Sequence, residues 1–176
     1  MIKLAKVNID ELCEMAERLV KAFSDKPGRG LLLFVTVERE DYLRKLAIKL
    51  AKKLSKDGPL PIYVIQGHIR GEHGWPFSRI RKGARIKLET DGTMFTETGG
   101  LIFPQDCPIV LLAEYFDYLE PQDQQAYAHL VDGEGGEFAL HTGSVLIAGI
   151  VSTNRGKIEP SIANRGLHCE LTMETQ

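Results

Sequence analysis

The chain has 176 residues, enough for one domain with a sizeable core, and 43% hydrophobic and 26% charged residues mark ordinary globular material. A formal net charge of -2 removes any global pull toward nucleic acid or an anionic membrane, leaving only local basic patches. Cys13, Cys107 and Cys169 are far apart and form no Cys-x-x-Cys pair, which argues against a thiolate zinc site and a secreted disulfide scaffold and points to free thiols in a reducing cytoplasm. No apolar run approaches the length of a membrane span, and Asp10, Glu11 and Glu14 make the N-terminus unlike a signal peptide.

Residues 9–24 read as a helix capped by Asn8 or Asp10, with Ile9, Leu12, Ala16, Leu19, Val20 and Phe23 near one face. The breakers of "SDKPGRG" end it. Residues 31–37 form a continuous apolar run, the pattern of a strand buried on both faces in a parallel sheet. The next helix is expected over 40–56, with Leu43, Leu46, Ala47, Leu50 and Leu54 as its apolar stripe. Its lysines (45, 49, 52, 53 and 56) suit a solvated face better than a phosphate or nucleic-acid stripe. Residues 61–66 make a short strand, and the glycine-rich "GHIRGEHGWPFSRIRKG" then reads as a long loop. In that loop His68, Glu72 and His73 lie close together, but not at a recognised zinc spacing. Trp75 can anchor the loop in a groove or meet a partner. Residues 85–90 and 93–98 alternate around Asp91-Gly92, which predicts a type I′ hairpin with Leu88 opposite Phe95 and Thr90 opposite Thr93. Strand 107–113 follows, then a helix over 121–131 with Pro121 in its first turn, the loop "DGEGGE" and a buried strand over 144–152. One helical turn from Glu159 to Ala163 and a last strand over 167–173 complete the order. Strand-helix alternation of this kind predicts an α/β sandwich with a largely parallel sheet and right-handed crossovers.

The joint between strand 31–37 and the helix after it is where a nucleotide-binding protein places a glycine-rich phosphate loop. Here it reads Val35-Thr36-Val37-Glu38-Arg39-Glu40-Asp41. A phosphate loop needs glycines to close backbone N–H groups on the anion, Lys for the β- and γ-phosphates and Ser or Thr for magnesium. β-Branched Val and Thr resist the positive φ values such a loop uses. Glu38, Glu40 and Asp41 repel phosphate. One like-charge pair at about 4 Å costs roughly 1 kcal/mol in water and about 4 at an effective dielectric of 20. Several such acids outweigh a helix dipole worth roughly 0.3–1 kcal/mol.

The stretch "CPIVLLAEYFDYLEPQDQQAYAHLVDGEGGEFALHTGSVLIAGIVSTNRGKIEPSIANRG" resembles the AAA+ ATPases of the P-loop NTPase fold, nearest to the MoxR, chelatase and midasin-like members. The resemblance covers roughly residues 9–173 and is strongest over 101–166. It implies a single AAA+-like α/β domain over residues 1–176, without the family's helical lid. The implied architecture is a three-layer sandwich on a mainly parallel five-stranded sheet of order 5-1-4-3-2. Its strands fall near 31–37, 62–66, 108–113, 145–152 and 168–173, and the hairpin 85–98 projects as an insert. The Walker B Asp-Glu pair becomes Ala113-Glu114, so the metal-organising acid is missing while the water-polarising one remains. Sensor 1 maps to Asn154 and the trans-acting arginine to Arg165 in "ANRG", with Arg155 a weaker candidate.

These positions have plainer readings too. Glu114 can be a solvated acid at a strand end, Asn154 a turn residue, and Arg165 a surface arginine in a local ion pair. The expectation is a catalytically degenerate module in the cytoplasm, with Glu114, Asn154 and Arg165 as remnants and no resident cofactor or metal. It would act in protein assembly or regulation through subunit contacts, with itself or with an active AAA+ partner. The alternatives are an NTPase with an unorthodox phosphate site and, more remotely, a nucleic-acid-associated module using Lys45, Lys49, Lys52, Lys53, Arg79, Arg81 and Lys82.

Overall fold

The structure, a computed structural model, describes residues 4–66, 85–97, 103–153 and 156–172. In chain order the elements are β1 (Ala5–Val7), α1 (Ile9–Ala22), β2 (Leu31–Val37), α2 (Asp41–Lys53), β3 (Ile62–Gln66), β4 (Arg85–Leu88), β5 (Met94–Glu97), β6 (Val110–Glu114), α3 (Pro121–His129), β7 (Val145–Val151), α4 (Pro160–Ala163) and β8 (Leu167–Leu171). α1, α2 and α3 end two or three residues before the expected limits, α2 and α4 each begin one residue later than expected, and α4 ends at Ala163 as expected. Asn8, not Asp10, caps α1. Its side chain accepts the Glu11 N–H at 2.8 Å, and the Glu11 carboxylate accepts the Asn8 N–H in return, a capping box.

All the strands lie in one mixed sheet of order β1-β8-β2-β7-β6-β3-β4-β5. Sheet size and order therefore differ from the five-stranded expectation. Two additions account for the difference. β1, too short to show a periodicity, pairs in parallel with β8 through Ala5↔Cys169 and Val7↔Leu171. The hairpin does not project from the body: β4 pairs antiparallel with β3 through Ile62↔Leu88 and Val64↔Ile86, so the hairpin continues the sheet. That pairing satisfies the N–H and C=O groups that β3 would otherwise leave open on an edge. Between these additions, β8, β2, β7, β6 and β3 are successive parallel neighbours.

The hairpin register is also one residue away from that expected. Leu88 faces Met94 and Lys87 faces Phe95. Glu89 N–H bonds the Thr93 carbonyl and Gly92 N–H bonds the Glu89 carbonyl, so three residues turn the chain, with Gly92 at φ +92°. A type I turn ending in a left-handed glycine has this form. The Asp91 carboxylate fixes it by accepting the Thr93 N–H at 3.0 Å and its hydroxyl at 2.7 Å.

Alternation along β2 divides the core. Leu31, Leu33, Val35 and Val37 pack with Leu12 and Ala16 of α1 and with Leu43, Leu46, Ala47 and Leu50 of α2. Leu32 and Phe34 pack on the opposite face with Tyr127, Ala128, Leu130 and Ile162. Helices thus cover both faces, in three layers. No helix among the described residues is long and apolar enough to cross a membrane.

Candidate functional site

Parallel strands in one sheet bring their carboxyl ends to one edge, and open α/β sheets place ligands there. At that edge β2 ends at Val37 and α2 begins at Asp41, so only Glu38, Arg39 and Glu40 join them. Ser152 N–H bonds the Val37 carbonyl beside the link. Next to it lies a solvent-open crevice of about 490 Å³, lined by Arg39, Glu40, Asp41 and Arg44.

Glu114, the last residue of β6, is fully buried and not the solvated strand-end acid weighed from sequence. Arg44, one turn into α2, grips it with a two-pronged hydrogen bond: Nε to Oε2 at 2.7 Å and Nη2 to Oε1 at 3.0 Å. This bond, the largest influence, raises the Arg44 pKa further and opposes the effect of burial. Arg44 Nη2 also lies 3.6 Å from Glu40 Oε1. The other Glu40 oxygen accepts the Tyr115 hydroxyl. That bond, more than burial, pushes the Tyr115 phenol up to about 12. Tyr115 is the one described non-glycine residue with positive φ, at 55°, and its ring stacks on Tyr118. A left-handed conformation costs a side-chain-bearing residue roughly 1–3 kcal/mol, and these two contacts hold it in place.

Arg39 also bonds Asp41, Nε to Oδ1 at 3.1 Å. Two guanidiniums thus meet three carboxylates, Glu40, Asp41 and Glu114. The crevice has no surplus positive charge for a phosphate.

Two further carboxyls stand behind this edge. Asp117, 5% exposed, finds no hydrogen-bond partner for either side-chain oxygen among the described residues, and burial raises its pKa. The Gly156 amide lies close enough to oppose that shift without a hydrogen bond of good geometry, and a Cβ on Gly156 would stand 2.5 Å from Asp117 Oδ2. Asp123 has one buried oxygen unpartnered, and burial raises its pKa as well. The buried Gln124 ties the surrounding loops together: its amide donates to the Leu119 and Lys157 carbonyls, and its oxygen accepts the Glu159 N–H.

Arg165 is not at this edge. It follows α4, and its Nη1 bonds Asp132 Oδ2 at 2.7 Å and Glu134 Oε2 at 3.1 Å, so its ion pairs lie within its own chain. Val131, beside Asp132, bonds the N–H of Gly30 at the start of β2 and so places these acids at the opposite end of the sheet. Glu114 and Arg165 are therefore not brought together. Asn154 and Arg155 lie outside the described residues, as do His68, Glu72, His73, Trp75, Arg79, Arg81 and Lys82. Lys45, Lys49, Lys52 and Lys53 are exposed along α2, with Lys45 near Asp41 and Lys49 near Asp10.

Sequence reasoning missed Arg44, Tyr115, Asp117 and the acids of "DGEGGE". Only Arg44 left a signal, as the i, i+4 partner of Glu40 beside the apolar stripe. Comparison with protein families, with curated proteins and with solved structures returned no match.

Proposed function

We propose that the chain is a non-catalytic, AAA+-like α/β module that acts in protein assembly or regulation through its surface. The observation that carries this reading is the engagement of Glu114 by Arg44 beside a link of three residues. A water-polarising acid must be free to face a bound phosphate and its attacking water. Glu114 instead spends both oxygens on a guanidinium from its own chain. The link is too short to wrap an anion in backbone N–H groups, and the residues around it carry more carboxylates than guanidiniums. An unorthodox phosphate site gains nothing from this arrangement.

The surface argument rests on the hairpin. Phe95 is 44% exposed, the large apolar side chain most open to solvent among the described residues, on β5, the last strand of the sheet order, with Lys87 Nζ 5.9 Å from its ring centre. The proposed contact is a second copy of the chain docking on this strand. Sedimentation velocity at micromolar concentration should show a mass above the monomer that falls in Phe95→Ser. Titration calorimetry with ATP and magnesium should show no binding. Micromolar ATP affinity would overturn the non-catalytic reading, and a wild-type chain that stays monomeric at high concentration would overturn the self-association.

A further inference from the structure

At the end of the sheet opposite the crevice, His129 Nδ1, Asp132 Oδ2 and a Glu134 carboxylate oxygen lie within 4.8 Å of one another. His129 Nδ1 is 2.8 Å from Asp132 Oδ2 and 3.3 Å from Glu134 Oε2. Ligands at about 2.0–2.2 Å around a tetrahedral ion stand roughly 3.3 Å apart, so the imidazole nitrogen is already near that spacing from both carboxylates, and the two carboxylate oxygens lie within 4.8 Å of each other. They come from one short segment, the last residue of α3 and the turn after it, so no distant element has to move to assemble them.

Asp132 is oriented for the task. Its Oδ1 accepts the Glu134 N–H at 2.9 Å, and its backbone forms an antiparallel bridge with Arg29. Oδ2 is thereby turned toward His129 and Arg165. A cation is already there: Arg165 Nη1 contacts Asp132 Oδ2 and Glu134 Oε2, the two oxygens an ion would use.

We propose that His129, Asp132 and Glu134 form a site for a zinc-class divalent ion, in which the Arg165 guanidinium holds the place of the metal and is displaced by it. One imidazole nitrogen with two carboxylate oxygens suits zinc or cobalt, whereas magnesium and calcium favour all-oxygen sets. Three protein ligands leave a fourth position for water. Arg165 is more than a third exposed, and such ion pairs are weak, so it yields to a divalent ion. The site is independent of the crevice and of the proposed self-association.

The test is calorimetric titration of the full chain with zinc chloride, together with the visible absorption of cobalt(II) as a probe of coordination. The wild type should take up one equivalent of zinc, and cobalt(II) should develop absorption bands of low coordination number. His129→Gln and Glu134→Gln should each weaken binding at least tenfold, with melting curves in chelator showing that both still fold. Arg165→Ala should tighten binding roughly three- to tenfold, because the internal competitor is gone. A purely structural ion-pair cluster would not move in that direction. Absence of saturable zinc uptake, uptake unchanged in both ligand variants, or weaker binding in Arg165→Ala would overturn the proposal.

Discussion

Replacing Arg44 by alanine isolates the contact on which the proposed function turns. The variant takes the Arg44 guanidinium away from the Glu114 carboxylate at the end of β6, in a position with no solvent exposure. Breaking a fully buried ion pair from one side costs roughly 3–5 kcal/mol. Arg44 keeps 31% of its side-chain surface in water, so solvent can enter where the guanidinium stood. The expected loss is therefore smaller, roughly 2–3 kcal/mol, close to that of a single charge-assisted hydrogen bond. For a chain of this size each kcal/mol shifts the melting temperature by about 2–4 °C, so the variant should melt roughly 4–12 °C lower. Scanning calorimetry at neutral pH is the assay. Arg44→Lys restores the charge without the two-pronged geometry and should recover only part of the loss. Substituting Arg44 and Glu114 together with methionine should recover most of it, because apolar packing replaces a buried pair at little net cost. A drop of under about 2 °C for Arg44→Ala, or single-variant losses that simply add in the double variant, would refute the claim that the two residues form one structural unit.

Asp117→Asn should raise the melting temperature at pH 7–8 and change little near pH 4. Its native carboxyl titrates above the ordinary range because it is buried, so the unfolded chain ionises first and stability falls as pH rises past that range; the gain at neutral pH should be roughly 1–3 kcal/mol by denaturant titration. Tyr115→Phe removes the bond to Glu40. The wild-type phenol is raised to about 12, so its contribution is complete below the unfolded value near 10 and is lost as pH climbs through 12. Wild type should therefore lose stability faster than the variant over that window. Gly30→Ala should be severely destabilising, because its Cβ would stand 2.2 Å from the Ser144 carbonyl oxygen. That carbonyl accepts the Leu31 N–H at the start of β2, so an insoluble product or a melting temperature lowered by more than about 5 °C is expected.

Much of the fold was legible because hydrophobic pattern and turn chemistry are local. The uninterrupted run of β2 gave its burial on both faces, and the stripe Leu43, Leu46, Ala47 and Leu50 gave the packed face of α2. What escaped was set by neighbours far along the chain. β1 exists because β8, more than 150 residues later, offers it a free parallel edge. The hairpin joins the sheet because β3 needs a partner. Its register was misjudged for a local reason: Asp-Gly suits both a two-residue and a three-residue turn. The Asp91 bonds to Thr93 select the longer one.

The site was less legible, because sequence gives a residue's place on an element but not the depth of the edge it reaches. Glu114 ends a strand, a position that is solvated unless something covers it. The cover comes from α2, held close by the three residues Glu38, Arg39 and Glu40. A phosphate loop would need a longer, glycine-bearing link, and the added length would release the start of α2 from the strand ends. Arg44 would then retreat from Glu114 and leave a carboxylate facing open space. The short link and the buried ion pair are therefore coupled features: the shortness denies phosphate its backbone cradle and delivers the guanidinium that occupies the acid. An acidic link such as "VERED", read alone, argues only that phosphate is repelled. Read together with the bond from Arg44 to Glu114, it accounts for how the edge is closed.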